Sequence, residues 1–476
     1  MLSSKKIMFF LSVFLYSVML TQFSFIDVAD DGAFFLRYAE NMLNGEFWVW
    51  NLGEPPIWGA SAPLYPLLLA IPMYLGFSPE ISIFSIGIIL SGLSISLLVA
   101  YSSKYLGFLP ALVLLLLLTS SPNFIYYSYI GLESPLTYIL IVLGTWGLIS
   151  NRSWCFIGIV SGLLMIHKLD MIPVSFLLLF SFYIKNKNMF YKAFLLALSI
   201  GVIWYVFSLF YFGYPLPNSF LTKILYQNDI PKVISMDWFS SLVFLYGIRP
   251  ILLFFAVLSL FDKQYRPISF FLGGLIIVHT IAYTLKYPFE PYNWYAMPSI
   301  LSLCILSSIG LSVALNNRYL IKFSSFYRNV YLYLTIIYLC IMVYFSYLNF
   351  FKSVKPINAF TNAMHDWAEA GRWVDNNTPK DFRVYTMWGN PAFYSHRYVI
   401  DGSFLNRSFE ENNLINSLNP EVLILGIDPG TTSNNPGFFV LSEAKNNNYK
   451  VVMTVEKFWH PGFSVLVRKD VLHLLN

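Results

Sequence analysis

The sequence predicts an all-α polytopic membrane protein of about eleven transmembrane helices, followed by a C-terminal extracytoplasmic α/β domain. Three observations predict it. Of the 476 residues, 57% are hydrophobic and 12% are charged, a composition that excludes a soluble globule. The apolar residues fall in runs close to the length that crosses a bilayer, and Lys and Arg collect in alternate turns. Past residue 356 the composition turns polar and no further apolar run follows.

Residues 7–26 carry no charge, and Lys5 and Lys6 ahead of them place the near end in the cytoplasm. No small-residue cleavage site of the A-x-A type follows, so this span reads as a retained helix. The first extracytoplasmic loop then covers 27–79. Within it, 63–76 is apolar but short and contains Pro63, Pro66 and Pro72, so it reads as a helix on the membrane surface. Counting it as a span would reverse the sidedness of every later loop. The remaining spans are expected near 80–102, 106–122, 132–150, 154–167, 171–184, 189–212, 246–261, 267–286, 295–315 and 329–349. This path leaves Lys104, Arg152, Lys185, Lys187, Lys192, Lys263, Arg266, Arg318, Lys322 and Arg328 in cytoplasmic turns.

Residues 1–356 thus form the transmembrane domain and 357–476 the soluble one. In the latter, Trp367, Ala370 and Trp373 share one side of a helix over 363–376. Strands are expected at Phe382–Met387, Val422–Gly426, Phe438–Leu441, Val451–Val455 and Ser464–Arg468. Cys155, Cys304 and Cys340 all lie in apolar spans, which argues against disulfides and against a thiolate metal site. The net charge of +5 is accounted for by the cytoplasmic turns and implies no nucleic-acid partner.

The unusual polar residues gather on the outer face. Asp30 and Asp31 emerge directly after the first span, with Asp27 just ahead and Arg37 two turns on. Two adjacent acids repel each other, and a low dielectric makes one of them a candidate general base. Glu133 opens the fourth span, Lys168 and Asp170 lie in the turn after His167, and Asn218 and Lys223 sit in the next outer loop. Arg249 opens the eighth span, and Lys286, Glu290, Tyr292 and Trp294 precede the tenth. Each has a plainer reading: a Lys168–Asp170 pair, a helix cap at Glu133, a snorkelling Arg249. Gathered on one face, ionisable groups at membrane depth point to a functional site.

The run from Asp30-Asp-Gly-Ala-Phe-Phe-Leu-Arg-Tyr-Ala-Glu40 through Trp50-Asn-Leu-Gly-Glu54 resembles the first loop of GT-C fold glycosyltransferases. It is most similar to the branch that includes cell-wall arabinofuranosyltransferases; protein O-mannosyltransferases and the lipid A aminoarabinose transferase resemble it less. Gly131-Leu-Glu-Ser134 is similar to that branch's Gly-Leu/Met-Glu-Thr/Ser element. Tyr211-Phe-Gly-Tyr-Pro-Leu-Pro-Asn-Ser-Phe-Leu-Thr-Lys223 resembles its Pro-Asn…Lys loop, and Glu369–Pro379 the helix that opens its outer domain. Where that branch has Arg-Pro-Asp-Gly, this chain has Lys168-Leu-Asp-Met171, which keeps the charge and loses the bidentate fork.

The resemblance implies an enzyme that moves a sugar from a polyprenyl-phosphate donor to an extracytoplasmic glycan, lipid or protein, with inversion. Asp30 or Asp31 would be the base, Asp30 the first choice. Arg37, Lys168, Lys223, Arg249 and Lys286 would hold the donor phosphate. Glu133, Asp170, Asn218, Glu290, Tyr292 and Trp294 would shape the substrate site. No cofactor is required, with a divalent cation at Asp30 and Asp31 as the variant. A transporter or flippase for the same lipid is the rival reading, against which the spans show no inverted repeat.

The charge pattern makes the topology testable. A cysteine at Ser433 is expected to react with an impermeant maleimide on intact cells or spheroplasts, and one at Asn186 is not. The opposite labelling would refute the path.

Overall fold

A computed structural model describes residues 3–25, 27–226, 250–286, 293–315, 325–402, 406, 418–427, 448–457 and 460–475. In chain order its helices are α1 Ser4–Leu20, α2 Asp30–Leu43, α3 Leu64–Tyr74, α4 Pro79–Tyr105, α5 Phe108–Thr119, α6 Pro122–Tyr126, α7 Ser134–Ile149 and α8 Trp154–His167. They continue with α9 Met171–Lys185, α10 Lys187–Phe212, α11 Asn218–Tyr226, α12 Pro250–Leu258, α13 Arg266–Lys286, α14 Met297–Leu315, α15 Ser325–Asn377 and α16 Gly389–Tyr394. The strands are β1 Arg383–Thr386, β2 Tyr398–Asp401, β3 Val422–Ile427, β4 Tyr449–Lys457 and β5 His460–Arg468.

A helix overlies each expected span, and the expected surface segment is α3. Among the described residues, four helices are long and apolar enough to cross a membrane: Pro79–Tyr105, Lys187–Phe212, Arg266–Tyr283 and Trp294–Leu315. Their limits follow local chemistry. Ser78 and Ser153 cap α4 and α8 by accepting the backbone N–H of Ile81 and Phe156. Gly213, at φ 81°, ends α10 in the left-handed region. Small residues let the helices approach closely. A Cβ on Gly158 would sit 2.9 Å from the Ala193 carbonyl oxygen, and one on Gly162 would press 2.7 Å from Ile200. That is the small-residue packing by which helices associate in lipid.

The longest element is α15, whose 53 residues extend roughly 80 Å, against a hydrocarbon core of about 30 Å. The span expected at 329–349 and the helix expected at 363–376 are therefore one helix. The boundary drawn at 356/357 falls inside it, next to Pro356. The change in composition there marks a change of surroundings, and the backbone continues through it.

Beyond α15 lies a five-stranded mixed sheet of order β2-β1-β3-β5-β4. β1 pairs parallel with β2 and β3, whereas β5 is antiparallel to β3 and β4. One face packs Val384, Ile424 and Val465 against Ala370 and Val374 of α15, and Tyr385, Leu423 and Leu466 cover the other. This is the alternation expected of strands. β2 was not anticipated, and the strand expected at Phe438–Leu441 lies outside the described residues.

Two polar assemblies join α15 to the stretch between α1 and α2. Asn358, His365 and Arg372 recur every two turns on one face of α15. Asn358 exchanges hydrogen bonds with the Gln22 carbonyl and the Ser24 N–H. Asp27, 2% exposed, accepts from His365 Nδ1 and Arg372 Nη2, each at 2.5 Å. Asp27 is thus a buried anchor and no bystander to the acids that follow it. Asp27→Asn should lower the unfolding free energy by about 1.5–3 kcal/mol, the range for hydrogen bonds to charged groups, and make the sheet region more sensitive to protease. An unchanged melting temperature and digestion pattern would show that the anchor contributes nothing.

Candidate active site

α2 begins with the acid pair, and its two carboxylates have different surroundings. Asp30 Oδ1 accepts the backbone N–H of Asn390 at 3.0 Å. Burial pushes the Asp30 carboxyl up to about 8; the Asn390 N–H pulls it down and the neighbouring Asp31 charge raises it. At neutral pH burial therefore favours the protonated form of Asp30. Asp31 instead lines a cavity of about 50 Å³ with Glu133, Ser219, Trp294, Tyr295 and Asn406. The structure thus gathers elements from across the chain around Asp31: the start of α7, the first turn of α11, and the 3-10 turn Asn293–Ala296.

Glu133 and Lys168, expected in separate roles, form an ion pair of 2.6 Å with side chains 7% and 15% exposed. Glu133 is the N-cap of α7 but makes no side-chain cap bond, so the capping reading fails and pairing replaces it. Lys168 pairs with Glu133 and not with Asp170, and its ammonium sits 4.7 Å from the centre of the Tyr295 ring. Burial disfavours the Lys168 charge, but Glu133 and Asp170 outweigh it and hold the ammonium above its ordinary value. Asp170 Oδ2 accepts the Tyr283 hydroxyl at 2.5 Å.

Arg37 departs most from expectation. Its guanidinium, in a residue 8% exposed, donates to the carbonyls of Trp50, Ala392 and Arg397 and to Asn51 Oδ1, all within 2.9 Å. It lines neither cavity described here, so its donors hold protein rather than phosphate. Lys223 and Lys286 fall in α11 and α13, while Arg249, Glu290 and Tyr292 lie outside the described residues.

A second cavity, of about 660 Å³, opens beside the first. Asn51, Glu54, Asn218, Arg383, Tyr398 and Asp401 contribute its polar wall, and Asn406 lines both spaces. Asn218 also donates its backbone N–H to the Trp58 carbonyl at 2.7 Å. Sequence reasoning did not find Asn390, Asn406 or Ser219. Asn390 acts through a backbone group and Asn406 through its place in three dimensions, while Ser219 stands inside the Tyr211–Lys223 run, directly after the expected Asn218.

No family model and no curated protein matches the sequence. Solved structures do match. ArnT from Cupriavidus metallidurans, crystallised with undecaprenyl phosphate bound, is 14% identical at a TM-score of 0.61, covering 97% of this chain and 97% of its own. The archaeal oligosaccharyltransferase AglB from Archaeoglobus fulgidus, in complex with an inhibitory peptide and a dolichol-phosphate, is 13% identical at a TM-score of 0.53. That match covers 88% of this chain and 69% of AglB. The arabinofuranosyltransferase AftD from Mycobacteria is 12% identical at a TM-score of 0.52, over 98% of this chain and 40% of AftD. The chain has the GT-C glycosyltransferase fold.

The ion pair supplies a test of the site's wiring. Glu133→Gln leaves the Lys168 ammonium buried without its partner, and should cost about 3–5 kcal/mol of stability. Glu133→Gln with Lys168→Met should recover most of that loss. A double variant no more stable than the single one would show that the pair is not the relevant contact.

Proposed function

We propose that this chain, with its GT-C fold, is an integral-membrane glycosyltransferase that takes a sugar from a polyprenyl-phosphate donor and passes it to an extracytoplasmic acceptor with inversion. The observation that carries the reading is the acid pair at the head of α2, with Asp31 lining a cavity beside the Glu133–Lys168 pair. In this reading the active site and residues 357–476 face away from the cytoplasm, at the plasma membrane.

Asp31 is the base, which reverses the order of preference read from the sequence. Its carboxylate removes the proton of the acceptor hydroxyl. The freed oxygen attacks the anomeric carbon from the face opposite the phosphate, the carbon–oxygen bond to phosphate breaks, and polyprenyl phosphate leaves with the electron pair. In this reading Lys168, whose ammonium meets Glu133 of the cavity that Asp31 lines, helps neutralise the phosphate together with Lys223, Arg249 and Lys286. Trp294 and Tyr295 supply ring faces for the sugar, and the larger cavity past Asn218 and Asp401 admits the acceptor. Asp30, largely protonated, keeps a second negative charge out of the site.

Release of polyprenyl phosphate from synthetic polyprenyl-phosphate pentoses and hexoses, measured in proteoliposomes, tests this. Asp31→Asn should cut turnover by roughly a hundredfold to ten-thousandfold, the range for loss of a general base. Asp30→Asn mimics the protonated acid and should stay active at pH 7. It should also abolish an alkaline fall in rate centred near pH 8, where Asp30 ionises in the parent. A chelator should leave turnover unchanged if the lysines and arginines alone neutralise the phosphate. An Asp31→Asn variant that transfers at the parent rate would end the proposal, and lipid-linked sugar crossing the vesicle membrane without transfer would favour a transporter.

A further inference from the structure

The acid pair does not hold its own geometry. α2 starts without a side-chain cap, its N-cap being Ala29, so the carboxylates of its first two residues are oriented by what packs against them. What fixes them comes from the far end of the chain. Gly389 and Asn390 open α16, on the crossover between β1 and β2. The backbone N–H of Asn390 donates to Asp30 Oδ1 at 3.0 Å, and its Nδ2 donates to the Val28 carbonyl at 3.1 Å. One residue therefore grips the chain on both sides of Ala29 and fixes the carboxyl of Asp30.

The grip is close and enclosed. Asn390 is fully buried, at 0% exposure. Gly389 lies so near that a Cβ would overlap the Asp30 carbonyl oxygen and press 2.9 Å from Phe34, so backbone meets backbone with no side chain between. Val28 and Ala29 are buried at 0% and 4%, and Ala29 donates its N–H to the Ile130 carbonyl at 2.7 Å, three residues before Glu133. The strand-like approach to the acids is thereby fixed on one side by the loop that carries Glu133 and on the other by Asn390.

We propose that Asn390 is a positioning residue for the transfer reaction: it holds Asp30 turned toward α16 and so leaves Asp31, the next residue, as the carboxylate presented to the cavity. The inference rests on the reading of the acid pair as catalytic. Asn390 touches neither donor nor acceptor in this scheme and acts through Asp30 and Val28. The small sheet is then part of the active site's construction, because the turn leaving β1 completes it.

The test uses the full-length protein in proteoliposomes, with release of polyprenyl phosphate from a synthetic polyprenyl-phosphate sugar as the readout. Asn390→Ala removes the bond to Val28 and keeps the backbone N–H. Asn390→Pro, at the second position of α16 where no helical bond is lost, removes both. Both should lower kcat, by about tenfold and about a hundredfold, the scale of one and two such bonds, with the donor KM changing less than about twofold. Asn390→Pro should also move the alkaline limb to higher pH, since the lost N–H favoured the charged form of Asp30. In an Asp30→Asn background the same change should move no limb. A purely structural role predicts instead fewer folded molecules, each with the parent kcat and pH profile, and that result would overturn the proposal. If the proline variant does not fold, the kcat and KM of Asn390→Ala decide alone. Asp31→Asn separates the two readings: if it is inactive while Asn390 variants behave as the parent, only the positioning role fails; if it is active, the function fails as well.

Discussion

The buried guanidinium of Arg37 is the constraint on which the junction between α2 and the sheet region depends. A charge taken out of water must be surrounded by acceptors or it destabilises the fold by several kcal/mol. Here the acceptors come from three places: the first loop at Trp50 and Asn51, α16 at Ala392, and the entry to β2 at Arg397. Burial lowers Arg37 to about 10, still charged at neutral pH, so the demand for acceptors never relaxes. Arg397 extends the assembly. While its carbonyl accepts from Arg37, its own side chain pairs with Asp375 at 2.6 Å and donates to the Thr378 carbonyl at 2.7 Å. Helix α2 is thereby tied, through two arginines, to the end of α15.

How much of this was legible in the sequence follows from the kind of interaction involved. Hydropathy reports burial in lipid, so the helices were located well, and α8 begins and ends where its apolar run does. The acids, Glu133 and Lys168 were legible because charge at membrane depth is costly and stands out. The partners of Arg37 were not, because three of its four acceptors are backbone carbonyls, which every residue possesses. Asp27 looked like one more loop acid; its role appears only once α15 lies beside it. The recurrence of Asn358, His365 and Arg372 was present in the sequence, but a change in composition at 357 drew a boundary through it.

The different surroundings of the two aspartates could not have been separated from sequence either. They are identical in type and adjacent in position. What sets Asp30 apart is burial and the backbone N–H groups that open α16, at Gly389 and Asn390, which raise no compositional signal. The same argument covers β2: four residues of Tyr-Val-Ile-Asp are too short to alternate convincingly, and the strand forms because β1 beside it offers a parallel ladder.

The reach of these ties has a consequence for synthesis. Arg37 and its acceptor at Ala392 are separated by 355 positions. A ribosome adding roughly 5–20 residues per second takes on the order of 20–70 seconds to cover that distance. Throughout that interval Arg37 has only Trp50 and Asn51 among its four acceptors, and Asp30 lacks the Asn390 N–H. The junction can close only when β1, α16 and β2 arrive, so a chain truncated before β1 keeps α1 to α15 and loses the contacts of Asn390, Ala392 and Arg397.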